Sequence, residues 1–192
     1  MDRLPDRPIC GAAGGERVLM TATLVLGGVH SGKARYAVGL LPTDDPVTLI
    51  VPTPKAGDGS EAVTALSHWT RIDTDDVTRT ILRGRTPAIV DRLTPWAISL
   101  IEAADARDDL TRALDIVTGA GEELAALCLG VPYDVVLIGD EFNAAPSSAK
   151  SKDHVLQAAV GRLNQVIGAE LPRVVLVSGG RALDLSDAPK VR

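Results

Sequence analysis

Apolar residues fall along this chain in short blocks separated by polar, glycine- and proline-rich connections, and the blocks alternate between two kinds. Thr23-Leu24-Val25-Leu26, Val47-Thr48-Leu49-Ile50-Val51, Ala88-Ile89-Val90, Val135-Val136-Leu137-Ile138 and Val174-Val175-Leu176-Val177 are continuous β-branched or leucine runs. Such runs suit strands buried on both faces. Between them lie segments with helical spacing: a short one after Ala34, then 75–83, 94–104, 108–129 and 154–169. The first strand is expected over 17–26, and 68–73 reads as a further short strand. Thr74 is a candidate N-cap for the 75–83 helix, with Ser60 capping another over 61–67. In the 108–129 helix, Gly119 and Gly121 weaken the middle and are expected to break it. Residues 53–60 and 142–152 read as polar loops, and the tail from Arg181 as polar. Strand–helix alternation predicts an α/β fold, a mostly parallel sheet with helices on both faces.

The connection after the first strand carries the chemistry. Gly27-Gly28-Val29-His30-Ser31-Gly32-Lys33-Ala34 fits G-x-x-x-x-G-K-[ST] at Gly27, Gly32 and Lys33. Glycines let the backbone turn its N–H groups toward a phosphate, and the lysine adds a point charge. At the last position Ala34 places a methyl where the pattern has a hydroxyl. With 18 glycines in 192 residues the spacing also arises by chance. A strand before it and a helix after it give the match its weight. Lys33 is otherwise a solvated charge, and His30 an exposed side chain.

Pro87-Ala88-Ile89-Val90-Asp91 runs a buried strand into a carboxylate, as a magnesium-organising strand does, although strands also end on aspartate for turn reasons. Asp140-Glu141 closes a later strand and reads either as a carboxylate pair near the nucleotide or as two solvated acids, since adjacent strand residues point to opposite faces. His68 beside Trp69 and His154 at a helix start read as surface histidines. Trp69 and Trp96 read as core or interface anchors.

Composition narrows the class. The chain is 45% hydrophobic but only 3% aromatic, so its core is aliphatic. A net charge of −5 and a pI near 5.2 argue against a nucleic-acid partner. Cys10 and Cys128 are far apart without metal-ligand spacing, which suits reduced thiols. The longest apolar run, 18–29, is too short and too polar for a membrane span. A cytoplasmic location follows as an expectation. Residues 1–16 read as a flexible leader, and 17–192 as a single P-loop nucleotide-binding domain.

Four stretches together resemble one family. GGVHSGKAR at 27–35 is similar to its phosphate loop, GGARSGKSR. VDRLTPW at 90–96 is similar to V-D-C-L-T-x-W, the most specific match. LIGDEFNAAP at 137–146 is similar to V-S-N-E-V-G-x-G-I-V-P, and GRLNQVIGAELPRVVLVSGGRALDL at 161–185 to the family's C-terminal pattern. The chain thus resembles the bifunctional adenosylcobinamide kinases/adenosylcobinamide-phosphate guanylyltransferases of cobalamin biosynthesis. That resemblance implies a RecA-like P-loop fold, homo-oligomers (typically trimers), ATP or GTP as substrate, Mg²⁺, and a corrinoid alcohol as acceptor. By position, residues 27–34 would hold the nucleotide, Lys33 and Asp91 would be catalytic, Asp91 would organise Mg²⁺, and Glu141 would lie near the site.

Two departures fall on the chemistry. Ala34 stands at the serine expected to bind Mg²⁺. Aligning the family's tryptophan with Trp69 puts Glu61 or a neighbour at the guanylylated histidine, while His68 is adjacent to the tryptophan instead. The expected activity is therefore phosphate transfer from ATP or GTP, with guanylyl transfer the weaker half. The alternatives are a degenerate member acting as a regulatory or partner subunit, or an unrelated P-loop switch.

Overall fold

A computed structural model of the protein describes residues 21–42, 44–53, 63, 66–141 and 151–190, with side chains from His154 onward in the last range. The leader, most of the helix expected over 61–67, most of the 53–60 loop, residues 142–150, Cys10 and Glu61 lie outside the described residues; Val63, Leu66 and Ser67 are described and are not helical.

Among the described residues seven strands form one sheet: β1 (Ala22–Gly27), β2 (Thr48–Pro52), β3 (Thr70–Thr74), β4 (Ala88–Val90), β5 (Val135–Asp140), β6 (Arg173–Ser178) and β7 (Arg181–Asp184). Their order is β3-β2-β4-β5-β1-β6-β7. Strands β1 to β6 run parallel, and only β7 is antiparallel, folded back on β6. β1 is central, with Leu24 beside Leu137 of β5 and Val174 of β6. All six of its residues are buried, as its apolar run demands.

The helices are α1 (Lys33–Val38), α2 (Val77–Arg83), α3 (Leu93–Ala103), α4 (Leu110–Gly130) and α5 (Ser151–Glu170). Because strand side chains alternate, β1 sends Leu24 and Leu26 to one face and Val25 to the other. The first face packs on α2 to α5, through Ile81, Trp96, Leu124 and Leu163. The second packs on α1 and the connections around Leu41 and Trp69. Both tryptophans are core residues, 7% and 3% exposed.

Two local expectations change, and the tail adds a strand. Thr74 ends β3 rather than capping α2: its Oγ1 accepts from the Asp76 N–H at 3.1 Å, and Asp76 is the cap, accepting from Arg79 N–H at 3.0 Å. Helix α4 runs unbroken through both glycines. A Cβ on Gly121 would lie 3.0 Å from Leu163 Cδ1 and 3.1 Å from Val166 Cγ1, so its bare backbone lets α5 approach closely, and packing offsets the propensity cost. The start of the tail is strand β7. Gly179 and Gly180, with φ of 56° and 72°, make the two-residue turn that a right-twisted hairpin favours.

Candidate active site

In a parallel sheet, ligands collect beyond the C-terminal strand ends. Here the residues on that edge are, in spatial order, Thr74, Asp91, Asp140 and the loop after Gly27. β5 lies between β1 and β4, so Asp140 is the neighbour of the loop. Asp91 is one strand further away, roughly 10 Å from β1 at the usual strand spacing.

The loop is closed from beneath. Glu141 donates its N–H to the Gly27 carbonyl at 3.0 Å, extending the β1–β5 ladder by one rung. Ser31 donates its N–H to the Gly28 carbonyl at 3.2 Å, and its Oγ accepts from the Lys33 N–H at 3.3 Å. His30 and Gly32 hold left-handed conformations, with φ of 54° and 92°. A Cβ on Gly27 would sit 2.5 Å from Ser31 Oγ and 2.6 Å from the Val177 carbonyl, so this position admits only glycine. Val29 stands at the exposed tip, 71% accessible.

Lys33 opens α1 and is 9% exposed. Its ammonium turns back over the loop, donating to the Gly28 carbonyl at 3.1 Å and pairing with Asp140 Oδ1 at 3.1 Å. α1 is a single short helix of six residues, so its macrodipole is weak. The positive end of the site is chiefly Lys33 and the loop N–H groups. Ala34 lies half-buried against the α1 face of the sheet, and no hydroxyl stands at that position.

Asp91 is 2% exposed. Its Oδ2 accepts from the Val63 N–H at 3.0 Å, while Oδ1 has no hydrogen bond and faces Arg92 Nε at 3.5 Å. Burial pushes its carboxyl above the ordinary value, and the Asp140 charge adds to that; the Val63 N–H and Arg92 oppose it. Arg92 takes a positive φ of 73° and leads into α3.

Asn164 on α5 is the site residue that motif reading missed. It is 5% exposed and donates from Nδ2 to the Asp140 carbonyl at 2.9 Å, with Glu141 Oε1 at 3.5 Å. Its signal was present as the Asn of GRLNQ, yet only the fold shows that this asparagine fastens the end of β5.

The three histidines of the chain fall apart. His30 is exposed in the loop, His154 is exposed near the start of α5, and His68 precedes β3. His68 therefore lies at the N-terminal edge of the sheet, on its far flank, with β2, β4 and β5 between its strand and β1. The structure does not bring it to the loop.

Among the described residues no group of three or more His, Cys, Asp or Glu is arranged to hold a metal by itself. Magnesium at nucleotides needs less: one or two carboxylates, with phosphate oxygens and water completing the octahedron. Asp140 and Asp91, on adjacent strand ends, fit that requirement, Asp140 with Lys33 as its counter-ion and Asp91 with its Oδ1 facing Arg92. Further along the same edge, a cleft of about 810 Å³ opens between the ends of β2 and β3 and helices α3 and α4. Thr53, Asp73, Asp76, Trp96 and Glu123 are among its walls.

Sheet order and loop together define a P-loop α/β protein of the RecA-like class, with a strand inserted between the loop strand and the carboxylate strand. The model of the cobinamide kinase / cobinamide phosphate guanyltransferase family matches residues 23–185, and the chain belongs to that family. The bifunctional adenosylcobalamin biosynthesis protein CobP of Pseudomonas aeruginosa is 29% identical over 181 residues, spanning 86% of this chain and 98% of that protein. Among solved structures, the P4 protein from bacteriophage phi6 in complex with ADP superposes with a TM-score of 0.47 at 18% identity, covering 84% of this chain and 52% of P4. No helix among the described residues is long and apolar enough to cross a membrane.

Proposed function

We propose that this protein binds ATP or GTP with Mg²⁺ at residues 27–34 and transfers the γ-phosphate to the hydroxyl of a corrinoid alcohol of the adenosylcobinamide type. The observation that carries the reading is Lys33, held at the mouth of the closed loop by one carbonyl and one carboxylate, where a nucleotide phosphate would replace both. The loop N–H groups would receive the β-phosphate and Lys33 the β- and γ-phosphates. Mg²⁺ would neutralise the phosphate oxygens, and the carboxylates at the ends of β4 and β5 are the groups of this chain placed to hold it. Glu141 would support the seat through its N–H to Gly27. The 810 Å³ cleft on the same edge offers space for an acceptor, and its acidic walls suit a cationic, amide-rich molecule.

Guanylyl transfer through a histidine has no support from His68, which lies at the opposite sheet edge. That position and the methyl of Ala34 favour a second reading, a partner or regulatory subunit that keeps the nucleotide seat without the full chemistry. A homo-oligomer, trimeric by family resemblance, remains part of the proposal, as does a cytoplasmic location.

Calorimetric titration of ATP and GTP, with and without Mg²⁺, into wild type and Lys33→Ala tests the seat. Mg²⁺-strengthened binding that Lys33→Ala weakens at least about a hundredfold is expected, from loss of a charged partner to phosphate. Absence of binding at millimolar nucleotide refutes the seat. Phosphate transfer to adenosylcobinamide then separates kinase from partner subunit. Incubation with GTP labelled at the α-phosphate shows whether any acid-labile guanylylated protein forms.

A further inference from the structure

Two carboxylates stand on the strand-end edge that carries the phosphate seat, Asp140 next to the loop and Asp91 one strand further away, and they are not equivalent. Asp91 is sealed: 2% exposed, bonded to the Val63 N–H, and faced by the Arg92 guanidinium. Asp140 keeps a side-chain exposure of 16% and has Lys33 as its counter-ion. Asn164 fixes the Asp140 backbone from below, which leaves the carboxylate directed at the loop mouth. The sequence departs from its family's pattern at the corresponding places. Set against the patterns it resembles, the chain has Asp140 where they read asparagine, Arg92 where they read cysteine, and Ala34 where they read serine. Ala34 thus offers no oxygen ligand, Arg92 ties down one carboxylate, and Asp140 stands as the more accessible carboxylate at the end of β5.

We propose that Asp140 is a magnesium-binding carboxylate that doubles as a lock on the phosphate seat when no cation is bound. This rests on nucleotide binding at residues 27–34. Without a cation, Asp140 holds Lys33 and repels incoming phosphates. With nucleotide and Mg²⁺ together, Asp140 exchanges Lys33 for the cation and Lys33 passes to the phosphates. Like charges a few ångströms apart at a protein surface repel by several kcal/mol before screening, so neutralising Asp140 has a sizeable effect on Mg²⁺-free binding. Nucleotide affinity should therefore depend on Mg²⁺ more steeply than an asparagine at this position would allow.

The test is the ratio of the ATP and GTP dissociation constants in EDTA to those in MgCl₂, by calorimetry, on wild type, Asp140→Asn, Asp140→Ser and Asp91→Asn. Circular dichroism melting checks that each variant is folded. Asp140→Asn is expected to tighten binding in EDTA and weaken it in MgCl₂, lowering the ratio by about tenfold or more; Asp140→Ser provides the same reading should the asparagine variant fail to fold. Water-proton relaxation with Mn²⁺ in place of Mg²⁺ gives a second readout, a lower Mn²⁺ affinity of the Asp140→Asn nucleotide complex. Nucleotide binding by wild type with an unchanged ratio in both Asp140 variants overturns the inference and leaves the nucleotide seat standing. A ratio that falls in Asp91→Asn and not at Asp140 overturns it in favour of the sealed carboxylate. No nucleotide binding by wild type overturns both readings.

Discussion

Asn164 donates from Nδ2 to the Asp140 carbonyl at 2.9 Å, so a helix on one face of the sheet fixes the strand end that faces the phosphate loop. The contact is close-fitting: a Cβ on Gly139 would come within 2.6 Å of Asn164 Oδ1 and 2.7 Å of Leu26 Cδ2. The strand can present Asp140 only because glycine precedes it. Asn164→Ala removes a buried donor and leaves the carbonyl without its partner. A loss of about 1–3 kcal/mol in unfolding free energy is expected, measured by urea titration. Asn164→Asp adds a negative charge below two acidic side chains, so its nucleotide affinity should fall further than that of the alanine variant.

The parts of the fold that could be read from sequence are those where local signals agree with the final packing. β1, β2, β4, β5 and β6 are runs of aliphatic residues that must be buried on both faces, and the sheet buries them. Helix α4 was harder, because the cost of Gly119 and Gly121 is local while its compensation, the close approach of α5 at Gly121, is not. β7 was missed because Arg181, Ala182, Leu183 and Asp184 are exposed, and an exposed edge strand has no hydrophobic pattern. The Gly179-Gly180 pair was its available signal. At the site, the loop and Asp91 were legible as motif elements. The pairing of Lys33 with Asp140 was not, because it depends on β5 lying between β1 and β4, and spatial strand order is absent from the periodicity of the chain.

Gly27 and Gly119 should respond oppositely to the same substitution. At Gly27 the new methyl meets the Val177 carbonyl at 2.6 Å, and backbone cannot swing aside. Gly27→Ala should displace the loop, cost about 1–3 kcal/mol as overpacking does, and weaken nucleotide binding. At Gly119 a Cβ meets nothing within 4 Å in the interior of α4. Gly119→Ala should raise stability by about 0.5–1 kcal/mol through helix propensity, without changing nucleotide affinity. Paired thermal melts and titrations decide both.

Asp91 gives stability a pH dependence of defined sign. Burial raises its carboxyl above the ordinary value of 3.8. Between that value and the raised one, the folded chain holds a proton that the unfolded chain has released. This contribution is fully present below about pH 3.8 and is lost as pH rises through the folded value. Asp91→Asn removes it, so the variant should show a flatter dependence of unfolding free energy on pH above about 3.8 than wild type does. An identical slope in the two proteins would count against the burial of an ionisable group at this position.

Cys128 provides the alkaline counterpart and a probe of α4. It is buried on the inner face of that helix, and burial pushes its thiol from 9.0 up to about 12. A thiol held neutral and enclosed is a poor nucleophile, because the thiolate is the reactive form. Native protein at pH 8 should therefore leave Cys128 unlabelled by a maleimide over a period in which urea-unfolded protein reacts fully; mass spectrometry of the 110–130 peptide distinguishes it from Cys10. Above pH 9 the unfolded chain releases the thiol proton while the folded chain keeps it. Stability from this group is complete below pH 9 and declines toward pH 12, by about 1.4 kcal/mol per pH unit. Cys128→Ala should lose that alkaline slope while paying a cavity cost at every pH. Rapid labelling of the folded protein at pH 8 would mean that α4 opens locally, away from the α5 contact at Gly121, on the timescale of the reagent.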